Sequence, residues 1–293
     1  MPGANPTVLR LRLGAELREL RGKTSLQAVS KQLKENDVDI SVAKLSRLEN
    51  GDGAIKLTDI RALLDIYAVG NNPQRELLIQ MAREARAAGT SAWWTDYESV
   101  LPSGLSTYVA LEANASRLLS FSHVLIDGLL QTEDYARATI QAFQHTDPPE
   151  VIDRLVQLRM QRQNVLREDP RLELVTIMDE AALHRPVGGP KAMKEQLRHI
   201  VKVCSELPNV SLQVVPLTKG AYTGQHGLFT LIEPRELGTG SQPVAYVDSV
   251  IGSLYFHRPN QIQQFRSLFG RLQAVALDPQ ESLQVVQKAA EEK

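Results

Sequence analysis

The segment that most constrains this chain is Ser41-Val42-Ala43-Lys44-Leu45-Ser46-Arg47-Leu48-Glu49-Asn50, followed by Gly51. A serine hydroxyl at its head accepts from the unpaired N–H groups of a helix's first turn. Asn-Gly at its tail ends a helix, because glycine enters the left-handed region without a Cβ clash. Between these signals Leu45 and Leu48 share one face, which leaves Val42, Ala43, Lys44, Ser46 and Arg47 outward. So short a helix is not stable alone and must be held by neighbours.

Those neighbours are legible on both sides. Leu9, Leu13, Leu17 and Leu20 recur at three- or four-residue spacing and predict a first helix closed by Gly22. Ser25 caps a second, with Leu26, Val29 and Leu33 inward, and the polar stretch Lys34–Asp39 follows. After the central helix, Thr58 starts a fourth with Ile60, Leu63, Leu64 and Tyr67. Pro73 leads into a fifth with Leu77, Leu78 and Met81. The second and third of these five helices form a helix-turn-helix, in which the third enters a DNA major groove. That groove admits one helix, and side chains near the helix N-terminus reach base edges. The DNA-binding candidates are therefore Ser41, Val42, Ala43, Lys44, Ser46 and Arg47, with double-stranded DNA as partner. Lys44 and Arg47 suit guanine or phosphate, and Val42 and Ala43 suit thymine methyls. Glu49 reads as an intramolecular partner of Arg18 or Arg21 rather than a base reader.

Ser46-Arg47-Leu48-Glu49-Asn50-Gly51, with Leu45 before it and Leu57, Ile60 and Leu63 after it, resembles the repressor-type (xenobiotic-response-element) helix-turn-helix family. Two departures stand out. The turn before Ser41 is longer by several residues, and the second recognition position, often glutamine in that family, is Val42.

Charge permits this reading without demanding it. The chain carries 33 Lys/Arg against 34 Asp/Glu, a net −1. Residues 1–88 hold 14 against 11, and the remainder 19 against 23. Affinity must come from a few placed cations rather than a broad positive field. The 293 residues suggest two domains. We place them at 1–88, a helix-turn-helix domain, and 105–293, joined by a linker at 89–104. One cysteine, Cys204, excludes an intrachain disulfide and any cysteine-built metal cluster, and it sits in a helical apolar pattern as a small hydrophobe. No signal-peptide pattern and no apolar run of roughly 20 residues is present, so a cytoplasmic, non-membrane protein is expected. In the linker, Trp93 and Trp94 are expected to staple the chain onto the second domain.

The second domain predicts an α+β fold, a mix of helices with a largely antiparallel sheet. Helices are expected near Thr107–Leu119, Glu133–Phe143, Glu150–Arg167, Ala192–Glu206, Ile262–Ala276 and Ser282–Ala290, with a short turn at Asp179–Leu183. Strands are expected at Leu172–Met178, Val210–Val215, Gly227–Ile232, Val244–Val247 and Leu254–Phe256. A second resemblance rests on Gly128-Leu129-Leu130-Gln131-Thr132-Glu133-Asp134-Tyr135-Ala136, on Asp179-Glu180-Ala181-Ala182-Leu183 with Arg185-Pro186-Val187-Gly188-Gly189, and on Pro208-Asn209-Val210 before Leu212–Pro216. These are similar to the domain of unknown function that follows the helix-turn-helix in a large actinobacterial family of regulators. The resemblance implies a transcription factor, often paired with a small acidic protein partner that antagonises DNA binding. Asp127 stands where that family commonly has proline.

No catalytic constellation is evident. The six histidines lack metal-ligand spacing, no nucleophile elbow precedes a helix, and Arg185–Pro190 lacks the lysine of a phosphate loop. No cofactor, metal or enzyme activity is expected. Leu129, Gln131, Tyr135, Glu180, Tyr222 and His226 form the candidate ligand- or partner-binding group, partly on the loop Gly220–Gly227. The sequence thus favours a sequence-specific DNA-binding regulator, a homodimer through its second domain. The alternative is an antitoxin-like protein that neutralises a small cognate partner and autoregulates its operon.

Overall fold

A computed structural model describes residues 6–51, 55–87, 93–97, 99–102, 105–225, 227–235, 242–249 and 252–293. The chain divides into two compact units: the first holds the N-terminal helices to Thr95 and also residues 105–111, and the second holds the segment from Asp96 and the sheet, from Glu112 to Arg235 and from Pro243 to Lys293.

Five helices make the first unit: α1 (Pro6–Arg21), α2 (Leu26–Glu35), α3 (Val42–Glu49), α4 (Leu57–Ile66) and α5 (Pro73–Ala87). Their apolar stripes converge as expected. Leu9, Leu13 and Leu17 of α1, Val29 and Leu33 of α2, Leu45 and Leu48 of α3, and Ile60, Leu63 and Leu64 of α4 are buried in one cluster with Leu78 and Met81. Leu77, expected to point inward on α5, is instead 54% exposed, since its neighbour Leu78 takes the core position. Ser25 and Ser41 cap α2 and α3 by accepting from Ala28 N and Lys44 N. Thr58 does not start α4: that helix begins at Leu57, behind Lys56, without a side-chain cap.

The connector between α2 and α3 runs from Asn36 to Ser41, and it is ordered by the helix it leaves. Asp37 takes φ +58, Asp37 N bonds to Lys34 O, and Val38 N bonds to Leu33 O. This is a Schellman closure with aspartate where glycine is usual. Ile40 then plugs the core at 1% exposure, and its carbonyl accepts from Ser30 Oγ at 2.7 Å. The extra length is thus spent on closing α2 and burying Ile40. Ala68 closes α4 in the same way at φ +56, with Val69 N on Leu64 O.

In the second unit six strands form one sheet in the order β3-β2-β1-β4-β5-β6. They are β1 (Ala115–Ser122), β2 (Glu173–Asp179), β3 (Val210–Val215), β4 (Phe229–Pro234), β5 (Val244–Ser249) and β6 (Gly252–Phe256). β1 pairs in parallel with β2, and β2 with β3; the other three pairings are antiparallel. The fold is α+β, as expected, with the parallel half an addition.

Thr107–Leu119 is not a single helix: α6 (Leu105–Ala113) ends, and β1 starts at Ala115. β1 is the central strand, with Leu118 and Leu119 on opposite faces and both buried. A strand buried on both sides loses the polar alternation that marks a half-exposed one. The remaining helices are α7 (Glu133–Phe143), α8 (Pro149–Arg162), the short α9 (Ala181–His184), α10 (Pro190–Glu206), α11 (Pro259–Val275) and α12 (Pro279–Glu291). The expected Glu150–Arg167 helix tightens into a 3-10 turn at Gln163.

Leu119, Phe121, Val175, Ile177, Phe229 and Leu231 pack one sheet face against Ile262, Phe269 and Leu272 of α11. The outer edge of β3 is closed by the segment entering α12. Leu277 N donates to Val214 O, and Val214 N donates to Ser282 Oγ, both at 2.9 Å. At the end of the first unit's N-terminal stretch Trp93 and Trp94 meet edge to face at 5.7 Å, and within the second unit Tyr97 donates to Gln161 of α8.

A bidentate ion pair lies inside this unit. Arg162 Nε and Nη2 donate to the two carboxylate oxygens of Glu112 at 2.7 and 2.8 Å, with both side chains almost fully buried. Removing one partner strands a charge in a low-dielectric interior. Arg162→Met should therefore cost about 3–5 kcal/mol, read as a lowered urea midpoint; an unchanged midpoint would show the pair to be dispensable.

Candidate nucleic-acid interface

The central helix is held from behind by α1. At Gly14 the two backbones approach so closely that an added Cβ would lie 2.5 Å from Leu48 O and 2.6 Å from Glu49 O. Gly51 meets Leu11 in the same manner and needs φ +76. Two arginines of α1 then grip the end of α3. Arg21 Nε and Nη2 donate to Glu49 at 2.6 and 2.8 Å, and Arg18 Nε adds a third bond at 3.3 Å. Arg18 Nη2 also donates to Glu49 O at 3.2 Å and to Asn50 Oδ1 at 2.5 Å. The hydrogen bonds to Glu49 raise Arg21 above its ordinary value against the opposing pull of burial. Burial, helped by the Glu49 charge, pushes the nearby Tyr67 phenol up to about 12.

Glu49, Asn50 and Gly51 are therefore parts of a clasp, as the sequence indicated for Glu49. What remains outward is the other side of the helix. Ser41, Ala43 and Arg47 are exposed, and Val42, Lys44 and Ser46 are half-buried. The two cations differ. Arg47 has no ion pair among the described residues, whereas Lys44 Nζ lies 2.5 Å from Asp59 Oδ2 in the first turn of α4. Sequence reasoning missed Asp59, because a partner on the next helix leaves no local pattern. It also missed Gly14, whose role depends on a backbone 34 residues away. Lys56, just before α4, and Arg61 within it are further exposed cations.

The second group of candidates divides in two. Leu129, Gln131 and Tyr135 are buried. Gln131 Nε2 donates to Ile126 O at 2.8 Å and its Oε1 accepts from Arg159, while Tyr135 Oη accepts from Ile126 N. Gln196 bridges Thr132 N and Leu130 O. Asp127 caps the turn by accepting from Leu129 N, and its other oxygen accepts from Ser120 Oγ of β1 at 2.6 Å. The Gly-Leu-Leu-Gln-Thr segment is thus a folded turn whose polar groups are occupied by Ile126, Asp127, Arg159, Gln163 and Gln196.

Glu180 and Tyr222 lie near the end of β2. Tyr222 Oη donates to Asp179 at 2.5 Å, and burial together with that bond raises the phenol above its ordinary range. Glu180 accepts from Leu217 N at 2.7 Å and pairs with His184 at 3.5 Å. His226 falls outside the described residues. Burial pushes the Cys204 thiol up to about 12, so it is not a ready nucleophile. Among the described residues, no cluster of three or more His, Cys, Asp or Glu is placed to hold a metal, and no helix is long and apolar enough to cross a membrane.

Capped α2 and α3, with α3 clasped from behind and its cationic face left open, define a helix-turn-helix DNA-binding regulator. A helix-turn-helix domain model matches residues 12–78. The domain of unknown function DUF5753 matches residues 105–288, more than half of the chain. The chain belongs to that family. No curated protein and no solved structure matches it.

Gly14→Ala tests the clasp. The methyl group would meet backbone, which cannot turn aside as a side chain can, so α3 must shift. We expect a lower melting temperature for the first unit and loss of DNA binding in a gel-shift assay. A variant with unchanged melting and binding would contradict the close approach.

Proposed function

We propose that the protein is a sequence-specific transcriptional regulator that reads the major groove with α3. The observation that carries this reading is the division of labour on that helix. Leu45, Leu48 and Glu49 are locked inward, and Ser41, Val42, Ala43, Lys44, Ser46 and Arg47 are left facing out. Arg47 has no ion pair among the described residues and suits bidentate contact with guanine or a phosphate. Ala43 and Val42 offer methyl groups to thymine. The N-terminus of α2, capped by Ser25, presents free N–H groups of the kind that bind a backbone phosphate.

One such module buries limited area, and helix-turn-helix proteins commonly bind two half-sites as two-fold dimers. The reading therefore includes a homodimer, with the second unit supplying its contacts and receiving a ligand or protein signal. The two-unit layout supports this assignment. We assign no catalysis to the second unit, because Asp179, Glu180 and Tyr222 are occupied in hydrogen bonds that shape its loops. The protein acts in the cytoplasm on this reading.

Arg47→Ala should weaken binding to the native promoter fragment by roughly 5- to 150-fold, a loss of about 1–3 kcal/mol. Its circular dichroism should match that of the wild type. Full-strength binding by the folded variant would remove α3 from the role of reader. Sedimentation of the full chain at micromolar concentration should give twice the monomer mass of 32.5 kDa; a monomer on and off DNA would refute the dimer.

A further inference from the structure

We propose that Asp59 is a positioning residue for sequence reading. It turns Lys44 from a mobile phosphate-seeking cation into a fixed hydrogen-bond donor at the head of α3. This inference rests on α3 being the recognition helix.

Lys44 is the third residue of α3, on the turn whose side chains reach base edges in this class of fold. Its ammonium lies 2.5 Å from Asp59 Oδ2, with the lysine side chain 29% exposed and the aspartate 9%. Asp59 is well held. It occupies the first turn of α4, where a negative charge is favoured by the helix dipole. Its other oxygen accepts from Thr58 Oγ1 at 3.4 Å, and its backbone N–H donates to Lys56 O at 3.0 Å.

Two consequences follow. A free lysine has many rotamers, and the strongest attraction it finds on DNA is the phosphate backbone. Tied to a buried carboxylate, its charge is already matched, so it releases no counterion and adds nothing to sequence-independent affinity. Yet an ammonium has three N–H donors. The contact with Asp59 is an ion pair, and the partly exposed face keeps N–H donors for an acceptor such as guanine O6 or N7. The ordering cost is met during folding, not during binding. Lys44 then contributes to discrimination, and Arg47, unpaired among the described residues, contributes to general attraction as well.

The test is salt-dependent binding of the full-length protein to two duplexes of equal length. One is selected by the protein from a random-sequence pool, and the other is its scrambled version. Lys44→Met should weaken binding to the selected duplex by roughly 5- to 100-fold, with the slope of log affinity against log salt unchanged and scrambled DNA bound as before. Asp59→Asn frees the ammonium, so the slope should steepen by about 0.9 and scrambled DNA should bind more tightly. The ratio of selected to scrambled affinity should fall. Asp59→Glu should restore that ratio in part, and the double variant Lys44→Met/Asp59→Asn should return to the wild-type slope.

A slope that drops by about one in Lys44→Met alone would make Lys44 an ordinary phosphate contact and overturn the proposal, whether or not Asp59→Asn folds. An unchanged slope in folded Asp59→Asn would overturn it as well. Failure of the underlying reading looks different: Lys44→Met and Arg47→Ala would both bind the selected duplex at full strength.

Discussion

Everything the first unit presents outward depends on how Glu49 is held. Its carboxylate, 7% exposed at the C-terminal end of α3, would be unfavourable there without cations. Arg18 and Arg21, one helical turn apart on α1, supply them and also take the last carbonyl and the Asn50 amide. A helix of eight residues cannot fix its own orientation. The clasp does so at one end, the Ser41 cap and the Lys44–Asp59 pair do so at the other, and Gly14 brings the two helix backbones together. Rotating α3 by one residue would carry a charged side chain into the core, so its outward face is specified by its inward one.

Much of this was legible because helix signals are local. Caps at Ser25 and Ser41, stops at Gly22 and Gly51, and apolar residues at helical spacing all lie within a few positions of what they determine. Strand β3 was readable for a similar reason: Val210–Val215 alternates, with the polar Ser211 and Gln213 between apolar neighbours. β1 was not, since Leu118-Leu119 serves two buried faces and imitates a helix continuation. Leu77 shows the opposite failure, where two adjacent leucines both fit the pattern and only the packing chooses Leu78. In the candidate interface the sequence indicated the Arg–Glu clasp, because three charged residues with a shared need were in view. It could not indicate Asp59 as the partner of Lys44, a relation set by the approach of α4.

Motifs that stand out in a sequence need not be sites. Gly128–Thr132 is distinctive because a tight turn must satisfy many backbone groups in little space. Gln131, Gln163 and Gln196 donate to carbonyls there, and Asp127 fastens the turn to β1 through Ser120. Asp127 accepts two hydrogen bonds, one of them across to the sheet. A Cβ at position 128 would come within 3.1 Å of the Arg159 guanidinium, which would have to give by a few tenths of an ångström.

The closure of β3 links the chain's last helix to its sheet by backbone chemistry as well as by packing. Val214 gives both its N–H and its carbonyl to the segment around Leu277 and Ser282. An edge strand left with such groups open is a template for another chain's strand. The C-terminal helix is therefore a safeguard against edge-to-edge strand pairing. Proteolysis or truncation there would bare this edge together with the apolar surface that Val286, Ala289 and Ala290 cover, and would be noticed first as turbidity.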